Sequence, residues 1–327
     1  MKPADTSIAL CVLVAAASAP GGTDPVSRDP VDQYNVVWES PSKDYGGSMP
    51  LGNGDVGLNV WVEADGDLQF YIGKTDAWDD NARIVKVGKV RLRLKPNPFA
   101  AGRPFRQTLR LRDATVEVQA GAGQGEVKAL VWVDANHPVV HVCVEGASPL
   151  EATAAIELWR TKPHEYRDLQ VSDIMARAPA DRRRPTIVEP DTVLAGRQGS
   201  IGWYHHNAKS FGPKLLSEIQ GLTGFPQQDP LLHRTFGAVI EADRAERVDD
   251  LRLRSPPAKT HRFSAYVYTR HPATAKEWLA EMDKTIARVS AQGFAARRTA
   301  HERWWAQFWR RSWVRARMAA GAEAASG

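Results

Sequence analysis

Alternation between apolar and polar residues constrains the fold of this chain more than any other feature. Between Tyr34 and about Thr269, short segments follow the two-residue period of β-strands, as where Leu58, Val60 and Val62 share one face. Turn signals rich in glycine and proline separate the segments. About a dozen short strands at this spacing predict a mainly β protein, a large antiparallel β-sandwich or super-sandwich, rather than a parallel sheet.

The predicted strands are separated by short turns and by two longer segments. They lie at residues 56–63, 68–72, 86–95, 106–112, 115–119, 126–133, 139–145, 152–159, 192–195, 202–206, 235–242 and 262–269. The turns lie at residues 65–66, 121–125, 146–149 and 256–257. Residues 161–190 and 209–230 are predicted to be loops, and a loop as long as the first is typically functional or disordered.

Beyond Thr269 the periodicity becomes helical. Helices are predicted from Thr274 to Arg288 and from about Phe294 to Trp313. The second carries a broad aromatic stripe, formed by Trp304, Trp305, Phe308, Trp309 and Trp313. Such a stripe has to be covered, each ring contributing roughly 1.5–3 kcal/mol when fully buried. Packing on the sandwich and packing against a following domain are both open interpretations.

The first residues have the composition of a secretory signal peptide. Lys2 precedes an apolar stretch at 8–17, and Ala17-Ser18-Ala19 has the small residues of a cleavage site. We therefore expect a secreted or periplasmic protein with no membrane segment once the leader is removed. The predicted organisation is a signal peptide at 1–19, a linker at 20–32, a β-sandwich domain at 33–270, a helical linker at 271–313 and a disordered tail at 314–327.

Composition and short motifs exclude several classes of function. A net charge of +5 without a helix-turn-helix or RNA-binding pattern argues against a nucleic-acid partner. Cys143 would be the only cysteine left after loss of a leader containing Cys11, and its apolar neighbours favour an inert buried thiol. No Gly-x-Ser-x-Gly elbow and no phosphate-binding loop is present. We expect neither a cofactor nor a metal.

The polar residues that point to a binding site begin with a glycine-flanked turn. Asn53 and Asp55 lie among Gly52, Gly54 and Gly57, directly before a predicted strand. Asn-Gly favours a tight turn, because both residues tolerate a positive φ. This turn is either a hairpin without a ligand or part of a binding rim at the edge of the β-scaffold.

A second polar group follows the strand at 68–72. Asp76 and Trp78 would share one side if the strand continued that far, and a tryptophan beside a carboxylate is suited to bind a sugar. Asp79 and Asp80 would point to opposite faces of such a strand, so they could not flank one glycosidic bond. The alternative is an edge loop whose acids are solvated.

The third group lies in the predicted strand at 202–206. His205 and His206 are adjacent and should diverge, which argues against a two-histidine metal site. His205 or Asn207 could contact a sugar hydroxyl, or could make an ordinary hydrogen bond at the sheet edge. The sequence leaves both interpretations open.

Several separated motifs resemble those of known families. Residues 49–57, Met-Pro-Leu-Gly-Asn-Gly-Asp-Val-Gly, resemble a signature of family 95 glycoside hydrolases, the α-L-fucosidase type. The wider pattern is more similar to a related family, the domain of unknown function 5703. Its motifs resemble residues 34–42, 67–78, 203–207 and 229–237, in the same order.

The resemblance implies a role in glycan hydrolysis. In the similar families the aromatic helix leads into an (α/α)6 barrel that carries the catalytic carboxylates, and no barrel is present in this sequence. We therefore expect a sandwich domain that supports the active site of a glycoside hydrolase, inactive without its barrel, with no catalytic residue of its own. Its carbohydrate contacts would come from Asn53, Asp55, Asp76, Trp78, His205 and Asn207. The alternatives are a stand-alone carbohydrate-binding module and an interaction module that docks a barrel in trans.

Overall fold

A computed structural model describes residues 30–63, 65–100, 102–166, 175–176, 178–225, 228–311 and 314. The predicted signal peptide with Cys11, most of the predicted linker at 20–32, Trp313 and the predicted tail beyond Val314 lie outside the described residues. The same holds for part of the predicted loop at 161–190.

The described elements are mostly β-strands. The strands are β1 Val36–Trp38, β2 Met49–Gly52, β3 Val56–Val62, β4 Leu68–Lys74, β5 Gly88–Lys95, β6 Phe105–Arg110, β7 Thr115–Ala120, β8 Val127–Val133, β9 Val139–Glu157, β10 His164–Tyr166, β11 Thr186–Val188, β12 Thr192–Val193, β13 Ser200–His206, β14 Thr235–Ala242, β15 Glu246–Arg247 and β16 Arg252–Arg270. The helices are α1 Gly212–Ile219, α2 Ala275–Ser290 and α3 Phe294–Arg311.

Fourteen strands form one antiparallel sheet that folds into two layers. The first layer runs β1-β6-β7-β8-β9-β16-β14-β13-β12, and β2, β3, β4 and β5 join it along the second half of β9. Side chains from both layers meet in one apolar core, where Phe70 and Leu92 line the same small interior space as Val142 and Ile240. The predicted mainly β sandwich is confirmed.

Two predicted turns are bends inside long strands. Residues 146–149 lie within β9, and Pro256 and Pro257 lie within β16 where the pairing of the two strands shifts register. A proline cannot donate to the ladder, so it is tolerated at such an irregularity. Each long strand thereby passes from one layer to the other, and the prediction of separate short strands was wrong at this point.

Helix α2 begins where predicted and covers the outer face of the first layer. The hydroxyl of Thr274 accepts a hydrogen bond from the backbone N–H of Glu277, and the Glu277 carboxylate accepts one from the backbone N–H of Thr274. This capping box satisfies two donors at the helix start. Trp278 and Met282 pack on Val139 of β9, within a second apolar cluster outside the main core.

Helix α3 is fixed to the sandwich by polar contacts of its inward face. The backbone N–H of Ala135 donates to Nδ1 of buried His301, so Nε2 of the neutral ring donates to the carbonyl of Asp113. Burial lowers the pKa of His301 to about 4, which agrees with a neutral imidazole. Trp309 donates to the carbonyl of Leu111, whereas Phe308 is exposed. Packing on the sandwich thus accounts for part of the aromatic stripe.

Several short elements were not predicted, among them β1, β2 and β15. Helix α1 lies in the predicted loop at 209–230, and β10 pairs with β11 in a separate hairpin within the predicted loop at 161–190. Prolines adjoin β10 and β11, and Pro213 lies in the first turn of α1, so these short elements lack a clear periodic pattern. None of the helices in the described residues is long and apolar enough to cross a membrane.

Candidate functional site

One end of the sandwich gathers most of the predicted site residues. We call this end the rim, and it consists of the β2–β3 turn with Asn53 and Asp55, Lys74 at the end of β4, and the following residues through Trp78. The side-chain amide of Asn53 donates to the carbonyls of Asp134 and His137, at 2.8 and 3.2 Å. Its oxygen accepts from the backbone N–H groups of Asp55 and Val56. All the hydrogen-bonding capacity of Asn53 is therefore used to form the β2–β3 turn and to tie it to the β8–β9 turn.

Two carboxylates of the rim converge on one ammonium group. Nζ of Lys74, the last residue of β4, lies 2.7 Å from Oδ1 of Asp55 and 2.8 Å from Oδ1 of Asp76. Thr75 also donates to Asp55. The two carboxylate side chains are 43% and 42% exposed, whereas that of Lys74 is buried. The structure thus brings Asp55 and Asp76 together, with oxygens that face solvent.

Trp78 lies in the turn beyond these carboxylates and is 37% exposed. Its indole N–H donates to the carbonyl of Thr75. Buried Asn207 donates to the carbonyl of Trp78 and to that of Leu231 from behind. Because β4 ends at Lys74, the premise that Asp76 and Trp78 alternate along a strand was wrong. Asn207 supports the turn that presents Trp78.

Asp79 and Asp80 do not lie on a strand and do not diverge into solvent. They open a tight turn and both are buried. Oδ1 of Asp79 accepts from the backbone N–H groups of Asn81 and Arg83, and the Asn81 amide donates to Asp80 and to the carbonyl of Ile187. The predicted divergence was wrong because a turn, unlike a strand, can hold adjacent side chains in one buried site.

Burial of these two acids perturbs their protonation. Burial first, and then the neighbouring carboxylate of Asp79, raises the pKa of Asp80 to about 6. Burial also raises the pKa of Asp79, while Arg83 partly opposes the shift. Both acids therefore lose their protons at a higher pH in the folded protein than an ordinary aspartate does.

Asp80→Asn is expected to stabilise the protein more as the pH rises. The pKa of Asp80 is higher in the folded protein, at about 6, than its ordinary value of 3.8. Its contribution to stability is therefore present below pH 3.8 and is lost as the pH rises through about 6. The difference in melting temperature between variant and wild type should grow from pH 4 to pH 8. Exposed Asp243, replaced by Asn, is the control, and a pH-independent difference for Asp80→Asn would contradict the assignment.

A buried ion pair lies behind this turn. The guanidinium of Arg160 donates to Asp191 at 2.8 Å and to the carbonyls of Lys86 and Val87. Nδ1 of buried His205 lies 3.1 Å from the same Asp191 oxygen, and its ring stacks on Phe236. His205 is therefore held inside the molecule and is not on the exposed rim.

The two adjacent histidines diverge as predicted. His206 contacts the hydroxyl of Thr235 at 2.7 Å, on the face of β13 opposite to His205. Within the described ranges, no group of three or more histidine, cysteine, aspartate or glutamate side chains is arranged to hold a metal ion.

A groove of about 270 Å³ opens beside the rim, on the outer face of the second layer. Its aromatic residues are Tyr71, Trp159 and Tyr166, and its charged residues are Asp79, Arg83, Lys86 and Arg160. Ile84, Val85 and Val188 complete the lining. We call it the aromatic groove. It adjoins the rim because Trp78 pairs with Ile84 across the turn that carries Asp79.

The sequence did not predict the aromatic groove. Trp159 and Arg160 follow a strand without any motif, and Asp191 is 31 positions from Arg160, with which it pairs. The only available signal was the polar Asp79-Asp80-Asn81 run, which has the composition of a turn.

The comparison with protein families decides the identity of the domain. The family described as a domain of unknown function, DUF5703, matches residues 37–314. The chain belongs to the DUF5703 family. This confirms the resemblance seen in the motifs, whereas the link to family 95 stays a prediction.

Matches outside the family add little. No curated protein matches the sequence of this DUF5703 domain. A solved structure titled "Putative kojibiose phosphorylase from human microbiome" is similar to it, with a TM-score of 0.44 and 11% identity. The similarity covers 85% of this chain and 35% of that one, so the DUF5703 domain spans about a third of that protein's length.

Proposed function

We propose that this DUF5703 domain is a carbohydrate-binding β-sandwich that supports the active site of a larger, family-95-like glycoside hydrolase. The observation that carries the proposal is the surface where Asp55, Asp76 and exposed Trp78 adjoin at the rim. A pyranose has an apolar face of C–H groups and a belt of hydroxyls. An exposed indole covers the first, and exposed carboxylate oxygens accept hydrogen bonds from the second.

The arrangement of the rim suits binding better than catalysis. Glycoside hydrolysis requires two carboxyl groups on opposite sides of the scissile bond, one of which donates a proton. Asp55 and Asp76 instead share the ammonium of Lys74, so both act as hydrogen-bond acceptors on the same side. His205 and Asn207 are both buried, so in this proposal they support the rim from inside the sandwich. In this proposal the catalytic carboxylates belong to another domain of the enzyme. The DUF5703 domain itself works outside the cytoplasm.

Trp78→Ala is expected to weaken glycan binding by roughly tenfold or more, because it removes the stacking surface of the rim. Binding of neutral and fucosylated oligosaccharides would be measured by glycan array and then by calorimetry. Trp38→Ala is a matched control, because Trp38 is 41% exposed and its indole also donates to a backbone carbonyl.

Two outcomes would contradict the proposal. Equal affinity of Trp78→Ala and wild type, or no binding of any oligosaccharide by wild type, would remove the binding role of the rim. Hydrolysis of aryl fucosides by the 327-residue chain would show that its own carboxylates are catalytic.

A further inference from the structure

We propose that the aromatic groove is a second carbohydrate site and that it binds an anionic pyranose, a uronic acid unit of a glycan. The groove is formed by Tyr71, Trp159 and Tyr166 with Arg83, Lys86 and Asp79. It is separate from the rim surface around Trp78, although the two adjoin. The ligand being a sugar rests on the proposed function, whereas the preference for an anion rests on the charges of the groove.

The walls of the groove provide flat apolar surfaces beside polar edges. Trp159 is 42% exposed and meets Tyr71 edge to face, with ring centroids 5.9 Å apart. Arg83 lies over the ring of Tyr166 at 4.1 Å, and Nζ of Lys86 lies 4.4 Å from the centroid of Tyr71. Stacking on aromatic rings fixes both cations at the groove. A sugar ring placed against Trp159 would therefore have two positive charges close to its substituents.

Those two cations differ from their neighbours on the same outer face. The carboxylate of Glu157 pairs with both Lys89 and Arg91. It lies 2.7 Å from Nζ of Lys89 and contacts the guanidinium of Arg91 directly. For the guanidinium of Arg83 and the ammonium of Lys86, no carboxylate within 4 Å is found among the described residues. A ligand carboxylate would provide the missing counter-charge, and the planar guanidinium matches a carboxylate in shape.

Two buried polar atoms at the groove also lack hydrogen bonds. Within the described part of the chain, Oδ2 of Asp79 and Nη1 of Arg83 have no partner. Asp79 as a residue is only 2% exposed. Buried polar atoms are seldom left unpaired, because the loss of hydration is unfavourable. One acceptor and one donor at the same groove are the partners that a sugar hydroxyl and a uronate carboxylate require.

The groove has room for about one sugar ring, because its volume of about 270 Å³ lies near the lower limit for ligand pockets. Its net charge favours anions further. Its lining holds three cations, Arg83, Lys86 and Arg160, and one acid, Asp79. The carboxylate of Asp191 lies behind the groove and is already paired with Arg160. The positive charges of Arg83 and Lys86 therefore dominate at the ligand.

The test compares digalacturonate with neutral galactobiose and with acetate, by calorimetry at low and high salt. Digalacturonate should bind, galactobiose should bind at least roughly tenfold more weakly, and acetate alone should not bind measurably. The double variant Arg83→Gln/Lys86→Gln should lose most of this preference. Its matched control is Arg106→Gln/Lys95→Gln, which removes the same charge from exposed positions elsewhere. Trp159→Ala should lose binding of both saccharides, with thermal unfolding as a check of its fold.

The outcomes separate this inference from the proposed function. Equal binding of both saccharides, lost in Trp159→Ala, would overturn the preference for an anion. Binding that responds to Trp78→Ala but not to Trp159→Ala would overturn the second site and leave the rim proposal intact. Binding of acetate as tight as that of digalacturonate would show an anion site without sugar recognition. If saccharide binding were unchanged in both Trp78→Ala and Trp159→Ala, both proposals would be overturned.

Discussion

Asp191→Ala is expected to lower the free energy of unfolding by roughly 3–5 kcal/mol, as when one partner of a buried ion pair is removed. Asp191 is the only carboxylate within 4 Å of the Arg160 guanidinium among the described residues, and both side chains are almost fully buried. The substitution also removes the acceptor at Nδ1 of His205. Urea unfolding followed by fluorescence and circular dichroism would measure the change.

The control for this prediction is Asp249→Ala, which removes the same group from an exposed ion pair with Arg252. Solvent screens that pair, so the unfolding midpoint should stay within experimental error. If the two variants were equally stable, the buried network would not be important for stability. Loss of Asp191 should also disorder the groove, because Arg160 holds the backbone carbonyls of Lys86 and Val87.

Gly237→Ala is expected to destabilise the protein by about 3 kcal/mol or more, at or above the upper end of ordinary overpacking. A Cβ at this position of β14 would lie 2.1 Å from the carbonyl oxygen of Trp203 and 2.7 Å from Cα of Tyr204. Both atoms belong to the backbone of the neighbouring strand β13. They cannot move without breaking the pairing of β13 with β14, which lies between β13 and β16.

Gly73→Ala is the matched control, because it makes the same change in another strand. A Cβ there would have its nearest neighbour, the carbonyl oxygen of Gly57, at an ordinary contact distance of 3.8 Å. Its effect should stay within about 1 kcal/mol of wild type, since alanine also reduces the entropy of the unfolded chain. Thermal unfolding of both variants would show the contrast, and similar melting temperatures would contradict the predicted clash.

Local periodicity was sufficient for most of the secondary structure. Leu58, Val60 and Val62 do face the core, and helix α2 begins after Thr274 as its capping box indicates. It was insufficient where one strand crosses two layers. Pro256 and Pro257 signal a turn in the sequence, but only the pairing of β16 with β9 on both sides of them shows a bend within one strand.

Part of the candidate site could be predicted from the sequence, because its residues lie at the ends of strands. Asn53, Asp55, Asp76 and Trp78 lie in or beside turns at strand ends, where polar side chains have to meet solvent or the backbone. Sequence could not tell which of them serve the fold. The hydrogen bonds of Asn53 and Asn207 reach the backbone of distant segments, such as Asp134 from Asn53, and sequence distance does not encode such contacts.

By itself, the sequence determined the mainly β class, the change to helices near the C-terminus and the family motifs. These features depend on neighbouring side chains within a few residues, so they can be read locally. Only the tertiary structure decided that His205 is buried against Asp191, that Asp79 and Asp80 share a buried turn, and that a groove unites Tyr71 with Trp159. Burial and pairing across layers depend on the whole packed chain, and they determine which polar groups remain available to a ligand.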